Sequence, residues 1–200
     1  MRLTKEASLA SRARVVESAS RLFREHGIDG ASVAALMRAA GLTHGGFYNQ
    51  FASKQELAGK ACRETLEASA ARIERKRQEH GPQKAYADLI EGYLSPVARD
   101  APGEACTIPA LAGEISRAGA QVQQGFAAGV EAYLSSLEGI MPGVPAQARK
   151  QAMTTLASMV GALSLARAIR DQNPQLSGEI LETVRLQLAA GVAGKTDMPE

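Results

Sequence analysis

Side chains that suit a nucleic acid are concentrated between Ser32 and Lys54. His44 can donate to or accept from a base edge, and Gly45 and Gly46 lack side chains, so their backbone could approach DNA closely. Hydroxyl, amide and ammonium groups suit phosphate oxygens, and here they belong to Thr43, Tyr48, Asn49 and Lys54. Two alternatives stand beside this interpretation. The glycines could instead allow tight packing on neighbouring helices, and Ser32 could be a plain N-cap rather than a phosphate ligand.

The elements that must position these groups are two short helices joined by a glycine turn. Ser32 is a helix N-cap residue, and the spacing that follows it predicts one apolar helix face, made by Val33, Leu36, Met37 and Ala40. Gly41 stands where a left-handed residue must end that helix, and Thr43 can cap a second short helix. Phe47 and Phe51 are predicted to be core. This pattern predicts a helix-turn-helix, which places its second helix in a major groove.

The same stretch resembles the DNA-binding domain of TetR-family transcriptional regulators over about residues 12–60. The resemblance rests on Gly41, on Phe47-Tyr48-Asn49-Gln50-Phe51 and on Ser53-Lys54, with Ala19–Gly27 similar to the family's first helix. Two features depart from the family pattern: Asn49 stands where the family often has His, and Gly45-Gly46 is unusually glycine-rich. The resemblance implies a homodimer on a palindromic double-stranded operator, a small-molecule effector, and repression more often than activation.

Composition and periodicity predict an all-α protein. Of 200 residues, 45% are hydrophobic and 22% are charged, which permits a sizeable core. The well-patterned segments have a helical period and predict about nine helices, including a first helix from about residue 12, one from 83 to 99 and an eighth from 146 to 171. We expect a three-helix head at 1–54, a helix to about 80 that connects it, an effector-binding and dimerisation body at 81–191, and a flexible tail at 192–200.

The charge is unevenly distributed. Residues 1–78 contain 14 Lys and Arg against 8 Asp and Glu, a net of +6, whereas the remainder has a net of −4. A basic first third fits a phosphate-binding head on an acidic body, although solvated helix faces would give the same counts. Arg2, Lys5, Arg12 and Arg14 could reach phosphates or the minor groove, or could belong to a solvated, mobile arm.

The cysteines, the N-terminus and the apolar runs indicate the cellular compartment of the protein. The two cysteines, Cys62 and Cys106, form no disulfide framework, the N-terminus has no signal-peptide core, and no apolar run approaches a membrane span. We therefore expect a cytoplasmic protein with no membrane contact. We also expect no cofactor, no metal site and no enzymatic activity.

The last two helices carry more apolar surface than one helix pair can hide. A helix that is apolar on two sides is either deep core or an oligomer interface. The family resemblance favours a dimer interface, and the residues assigned to it are Met159, Gly161, Ala162, Ala166, Ile180, Val184 and Leu188.

Cys106 is the candidate sensor because it follows a Pro-Gly loop at a helix start, where a thiolate is stabilised. Cys106 also resembles the cysteine that some oxidant-sensing family members have near the start of the sixth helix. The alternative is a small core residue. An apolar effector pocket is predicted from Tyr93, Phe126, Tyr133, Met153 and Met159, although such residues at helical spacing are usually core. Two rival functions are a Cys106-dependent enzyme and a ligand-independent architectural DNA binder.

Overall fold

The computed structural model describes residues 5–142 and 144–193, and every regular element within them is helical. Nine α-helices and two short 3₁₀ helices follow one another in these ranges, so the all-α prediction is confirmed. The α-helices are α1 (Lys5–Gly30), α2 (Val33–Ala39), α3 (Lys54–His80), α4 (Pro82–Tyr93), α5 (Pro96–Asp100), α6 (Thr107–Ile115), α7 (Ala120–Glu138), α8 (Pro145–Ile169) and α9 (Pro174–Ala193). The 3₁₀ helices are His44–Asn49, which is the second helix of the predicted helix-turn-helix and is here called the recognition helix, and a turn at Pro102–Glu104. Arg2, the side chain of Lys5, and most of the predicted tail, 194–200, lie outside the described residues.

Three elements differ from the sequence-based predictions. Helix α1 begins at Lys5 rather than near residue 12, because residues 5–11 contain good helix formers and Ser11 packs inward to accept a hydrogen bond from Gln50. The predicted helix from 83 to 99 is two helices. Pro96 lacks the N–H that a continuing helix needs, and the Ser95 hydroxyl instead caps α5 by accepting from the Ala98 N–H at 3.1 Å.

The third difference is the recognition helix, which is 3₁₀ rather than α-helical. Two consecutive glycines disfavour an α-helix by about 1 kcal/mol each, so tertiary packing selects a short, tight turn. Thr43 precedes the turn without a side-chain cap, and its carbonyl accepts from the Gly46 N–H.

The glycine turn between α2 and the recognition helix has the predicted conformation. Gly41 has φ of +72°, its N–H donates to Arg38 O, and the Leu42 N–H donates to Met37 O. This pair of hydrogen bonds is a Schellman motif, which satisfies the last carbonyls of α2 and redirects the chain.

Two hydrophobic clusters form the interior. The body cluster gathers buried side chains of α3, α4, α7, α8 and α9 around residues such as Ile90, Leu137 and Leu163. The head cluster contains Phe23, Phe47 and their neighbours, and it also takes in Leu111, Ile115 and Val122 from α6 and α7. Residues of α6 and α7 thus share one packed cluster with the head.

Helices α3 and α7 approach so closely that glycine is required at the contact. A Cβ on Gly125 would lie 2.1 Å from Gly59 O, and a Cβ on Gly59 would lie 2.4 Å from Gln121 O. A Cβ on Gly129 would meet the Leu66 side chain at 2.8 Å. The backbones are therefore in direct contact along this part of α7.

Helix α8 differs from the expectation that no apolar run approaches the length of a membrane span. One window of it is long and apolar enough to cross a membrane by length and composition, with a mean hydropathy of 1.4 and 39% of the window buried. A core helix passes the same test. Leu163 and Ala166 of α8 are fully buried in the body cluster.

Candidate nucleic-acid interface and ligand cavity

The recognition helix presents its polar residues to solvent and its aromatic residues to the core. Phe47 is fully buried and Phe51 nearly so, as predicted, with 5.7 Å between their ring centroids. Tyr48 packs edge-on against Phe47, yet 68% of it is exposed. Ser32, Thr43, His44, Gly45 and Asn49 are also exposed. The described residues thus present together most of the set predicted to contact DNA.

The structure removes the packing explanation for the two glycines of the recognition helix. A Cβ on Gly45 would meet nothing within 4 Å, and one on Gly46 would meet Met37 Cε at 3.6 Å, an ordinary contact. Neither residue is among the described glycines with positive φ. Both positions therefore have room for a side chain, so packing within the chain does not require glycine at either one.

Lys54 lies at the start of α3, beside the recognition helix. Its Nζ donates to Asp29 O at 3.3 Å, which holds the ammonium near the loop that precedes α2. The Ser53 hydroxyl caps α3 by accepting from the Glu56 N–H, and a Glu56 oxygen accepts from the Ala52 N–H. A helix N-terminus with an adjacent ammonium group favours an anion such as phosphate.

Arg12 has a structural position rather than the phosphate-facing one considered from sequence. Its guanidinium donates to Gln50 O, pairs with Glu56 at 2.9 Å and covers the Phe51 ring at 4.3 Å from the centroid. Arg12 therefore fastens α1 to the turn between the recognition helix and α3. Arg14 remains exposed on α1.

Head and body are joined at a kink in α1. Gly27 has φ of +77° and ψ of +165°, and the following Ile28 N–H donates to Glu114 Oε2 of α6 at 2.8 Å. Arg24, one turn earlier, donates from Nε to Gly103 O at 2.9 Å. Ser20 and Thr65 share a hydrogen bond of 2.7 Å between α1 and α3. Helix α1 is thus attached to the 3₁₀ turn, to α6 and to α3.

Several cavities of similar volume lie in the described part of the chain, and the one beside this junction, of about 410 Å³, is here called the main cavity. Its walls come from α1, α3, α4, the loop before α6, and α7. Its lining includes Arg24, Arg72, Tyr93, Cys106 and Tyr133. A small cavity of about 200 Å³ lies on the other side of Tyr93 and Cys106, towards α5 and α8. Three of the predicted effector residues, Tyr93, Tyr133 and Cys106, are thereby brought together.

The other three predicted effector residues lie elsewhere, which corrects the prediction. Phe126 is partly buried between the head and body clusters, Met153 is 45% exposed on α8, and Met159 is fully buried in the body cluster. Helical spacing alone could not separate cavity from core, because both kinds of residue are apolar and face inward.

The environment of Cys106 differs from the one suggested by its position at a helix start. Cys106 is the N-cap residue of α6 and is half-buried. Burial raises the pKa of its thiol, and this effect outweighs Tyr93, the Ile108 N–H, Arg167 and Arg24, all of which lower it. The thiolate is therefore less populated than in a free cysteine. Cys62, buried in the head cluster, has its pKa raised to about 12 by the same cause.

On α8 and α9, most of the residues predicted to form a dimer interface do not face solvent. Met159, Ala162 and Ala166, assigned from sequence to a dimer interface, are buried inside the chain's own core. Ile180, Val184 and Leu188 are partly buried against the same core. Solvent-facing apolar residues recur every four positions on α8, at Met153, Ala157, Gly161 and Leu165, and are here called the exposed stripe. Leu176 and Leu186 of α9 are exposed as well. Of the assigned residues, Gly161 is exposed within this stripe.

Several residues of these sites were missed from sequence. Arg24 and Glu114 meet other elements only in the folded chain, and nothing in their local sequence distinguishes them. Arg167 did carry a signal, because it is the single charge in the run from Leu163 to Ile169, where Ser164 is the one other polar residue. Leu165 lies in the same run, on the exposed face of the helix.

Comparisons with known proteins agree with this arrangement. Residues 15–61 match the family model described as bacterial regulatory proteins, tetR family. A comparison with curated protein sequences finds no match. The fold is similar to that of E. coli NemR in its reduced form, with a TM-score of 0.74 at 18% identity, covering 90% of this chain and 96% of that one.

Two further solved structures share the fold. One is a TetR-family transcriptional regulator from Agrobacterium tumefaciens, with a TM-score of 0.74 at 19% identity, covering 92% of this chain and 98% of that one. The other is FadR from Bacillus subtilis in complex with stearoyl-CoA, with a TM-score of 0.65 at 17% identity, covering 90% and 98%.

Proposed function

We propose that this chain, whose residues 15–61 match the family model of tetR-family bacterial regulatory proteins, is a DNA-binding transcriptional regulator, and that it acts as a homodimeric repressor released from a palindromic operator by a small-molecule effector. The observation that carries the proposal is the joint exposure of polar residues on a recognition helix whose glycines leave open space. The recognition helix would enter the major groove with His44, Gly45 and Gly46 at base edges. Ser32, Thr43, Tyr48, Asn49 and Lys54 would hold the flanking phosphates.

Two substitutions should distinguish contacts to phosphates, which set overall affinity, from contacts to bases, which set sequence preference. Replacing Lys54 with alanine removes one phosphate charge, so affinity should fall for all duplexes and the salt slope should decrease by about 1. Replacing His44 with alanine should instead change base preference, because His44 faces base edges. Mobility-shift titrations at several salt concentrations, on operator and on scrambled duplex, would measure both effects.

Lys150→Ala is the matched control, since Lys150 is an exposed lysine on α8 in the body. It should leave affinity and salt slope unchanged. The assignment of the head to DNA would be wrong if Lys54→Ala behaved like Lys150→Ala, or if a chain with a scrambled head retained operator binding.

A second copy of the chain is the proposed occupant of the exposed stripe. Small residues at Ala157 and Gly161 allow close approach of a partner helix, and a Cβ on Gly161 would meet nothing within 4 Å. Leu165 is 58% exposed and Leu186 is 54% exposed, so burial against a partner would remove substantial apolar surface from water. Pairing α8 and α9 with their copies would form a four-helix bundle. The two heads would then be held for successive major grooves about 34–36 Å apart.

The main cavity is the proposed effector site, and α6 is the proposed connection to the head. Helix α6 begins beside the cavity at Cys106 and reaches the α1 kink through Glu114, which accepts from the Ile28 N–H. Leu111 and Ile115 of the same helix are buried in the head cluster. An effector that favours a different position of α6 would change the head spacing and lower DNA affinity by shifting populations. FadR in complex with stearoyl-CoA has the same fold with a small-molecule ligand.

Covalent modification of Cys106 is a second route to release, because this thiol lines the same cavity. Burial raises its pKa, so at pH 7.5 its thiolate fraction is lower than that of an unperturbed thiol and its reaction with N-ethylmaleimide should be slower than that of glutathione. The rate should rise with pH towards the raised pKa. Mass spectrometry of the two cysteine peptides across pH 7–10 would measure it.

Cys62 is the internal control for this measurement. With its pKa raised to about 12 and its side chain in the head cluster, it should stay unlabelled across that range in the folded protein. If Cys106 instead reacted rapidly at pH 7.5, and operator release by maleimide or a mild oxidant were lost in Cys106→Ser, modification would be the primary signal. If the reagent releases the wild-type protein and the Cys106→Ser variant from the operator equally, Cys106 only lines the cavity and does not sense the reagent.

The rival functions are less well supported. The family model describes regulatory proteins, which does not favour a Cys106-dependent enzyme. A ligand-independent architectural DNA binder would not need a cavity of about 410 Å³ beside the junction of head and body. A turnover assay and an effector titration would distinguish these alternatives.

A further inference from the structure

Unpaired hydrogen-bond donors surround Cys106 where the two cavities meet. Arg24 Nη1 and both Nε and Nη1 of Arg167 are buried without a hydrogen-bond partner in the described part of the chain. The Tyr93 hydroxyl lies near enough to the Cys106 thiol to lower its pKa, but no described group pairs with it in ordinary hydrogen-bond geometry. Tyr93 is 8% exposed and lines both cavities. Buried polar groups are nearly always satisfied in folded proteins, so a cluster of unpaired donors requires an explanation.

The remaining bonds of the two arginines hold them in place. Arg24 donates to Gly103 O through Nε and Nη2, and Arg167 donates to Ala98 O through Nη2 at 2.7 Å. Each guanidinium is thus fixed by a backbone carbonyl, and neither bonds to a carboxylate among the described residues. Burial lowers the pKa of both arginines, which reflects the cost of keeping a partly desolvated cation there.

The charges on the walls favour an anion over a neutral acceptor. Arg24, Arg72 and Lys76 line the main cavity together with the acidic residues Asp88 and Glu104. Asp88 is paired with Lys84 at 2.6 Å and with Lys76 at 3.5 Å, so Lys76 is partly neutralised. Glu104 is exposed to solvent, although among the nearby carboxylates it stabilises the charged form of Arg24 most strongly. Burial raises the pKa of both Tyr93 and Cys106, and Arg167 adds a nearby positive charge that partly opposes this rise. Apolar walls at Ile73 and Leu89 could accept a hydrocarbon portion.

We propose that the main cavity binds a small carboxylic acid, with its carboxylate accepting hydrogen bonds from Tyr93 and Arg24 beside Cys106 and with its hydrocarbon part against Ile73 and Leu89. Arg167 supplies positive charge behind Tyr93. This inference rests on the proposed function insofar as it names the chemical class of the effector. Because Arg24 belongs to α1, the ligand would contact the helix that enters the head.

The test compares acids with their matched neutral amides on the full-length protein. Benzoate, cinnamate and octanoate would be titrated against benzamide, cinnamamide and octanamide by calorimetry in a buffer without carboxylates. At least one acid should bind about tenfold more tightly than its amide, because hydrogen bonds from the site to a charged acceptor are stronger than those to a neutral one. Equal binding of acid and amide, or no binding of any probe, would overturn the proposal and leave a cavity filled by water or by another ligand class.

Tyr93→Phe separates a binding role from a structural one. Removing an unpaired buried hydroxyl should leave the free protein as stable as before or raise its melting temperature, while weakening acid binding about tenfold. Tyr86→Phe is the control on the same helix, since its hydroxyl donates to Leu188 O at 3.3 Å away from this cavity. The Tyr86→Phe variant should bind acids with the same affinity as the wild-type protein. Unchanged acid affinity in Tyr93→Phe would contradict the assignment.

Failure of this inference can be separated from failure of the proposed function. Operator binding by the unliganded protein depends on the head and is measured without any acid. If the protein binds its operator but no acid, the proposed ligand class is wrong and the proposed function as a DNA-binding regulator is retained. If an acid binds and operator binding is absent, the proposed function is wrong and the site stands.

Discussion

Replacing Gly161 with arginine should convert the dimer to a monomer and lower affinity for a two-half-site operator by roughly 10²–10⁴-fold, because joined heads gain effective concentration. Gly161 lies at the centre of the exposed stripe, where a Cβ meets nothing within 4 Å, so the single chain can accommodate the new side chain. In the dimer the same guanidinium would be buried against an apolar partner face without a counter-ion, which is strongly unfavourable. Sedimentation at micromolar concentration and mobility-shift titration would measure both effects.

Gly113→Arg is the matched control for this substitution. Gly113 is an exposed glycine within α6, also with open space around its Cα, and it lies outside α8 and α9. It should leave the oligomeric state unchanged. Leu165→Asp should reproduce the effect of Gly161→Arg, because it places a carboxylate in the same stripe. A wild-type protein that sediments as a monomer, or a Gly161→Arg variant that remains dimeric, would exclude this interface.

The second large effect is expected at the contact between α3 and α7. Gly125→Ala should lower the free energy of unfolding by about 1–3 kcal/mol, the usual cost of overpacking. The new Cβ would lie 2.1 Å from Gly59 O and 2.6 Å from Gly59 C, and these backbone atoms cannot move without displacing the whole helix. Thermal and denaturant unfolding of the purified protein would measure the change, at roughly 2–4 °C per kcal/mol for a chain of this size.

Gly113→Ala again gives the comparison. The same change at an open helical position should be neutral or stabilising by about 0.5–1 kcal/mol, because alanine has the better helix propensity and restricts the unfolded chain. Equal stability of the Gly125→Ala and Gly113→Ala variants would show that α7 can move away from α3 at little cost. Glycine would then not be required at this contact.

The head could be predicted from sequence because its determinants are local. Gly41, the apolar residues of α2 and the aromatic residues at 47 and 51 act within a few positions of one another, and the structure places all of them as expected. Two local features of the head differ from the prediction: α1 begins earlier, at Lys5, and the recognition helix is a 3₁₀ helix without a side-chain cap from Thr43. Glycine pairs weaken an α-helix, and the short 3₁₀ helix that forms instead packs Phe47 into the head cluster.

In the body, helical periodicity predicted the elements but not the function of their faces. Met159 and Leu165 are both apolar residues of α8, yet one is fully buried and the other is 58% exposed. Which face of a two-sided apolar helix is covered depends on where α9 packs, and that packing is a non-local contact. The sequence alone therefore predicted a dimer-forming helix pair but assigned several interface residues that belong to the core.

The cavity and its connection to the head were decided by the tertiary structure. Arg24 and Cys106 are 82 positions apart, and Glu114 meets Ile28 across 86 positions. Amino-acid type and spacing determine secondary structure and the amphipathic faces, because these depend on interactions within a few turns. Side chains that converge from α1, α4, α7 and the loop before α6 are positioned by helix packing, so the cavity, its unpaired donors and the shifted pKa of Cys106 exist only in the folded chain.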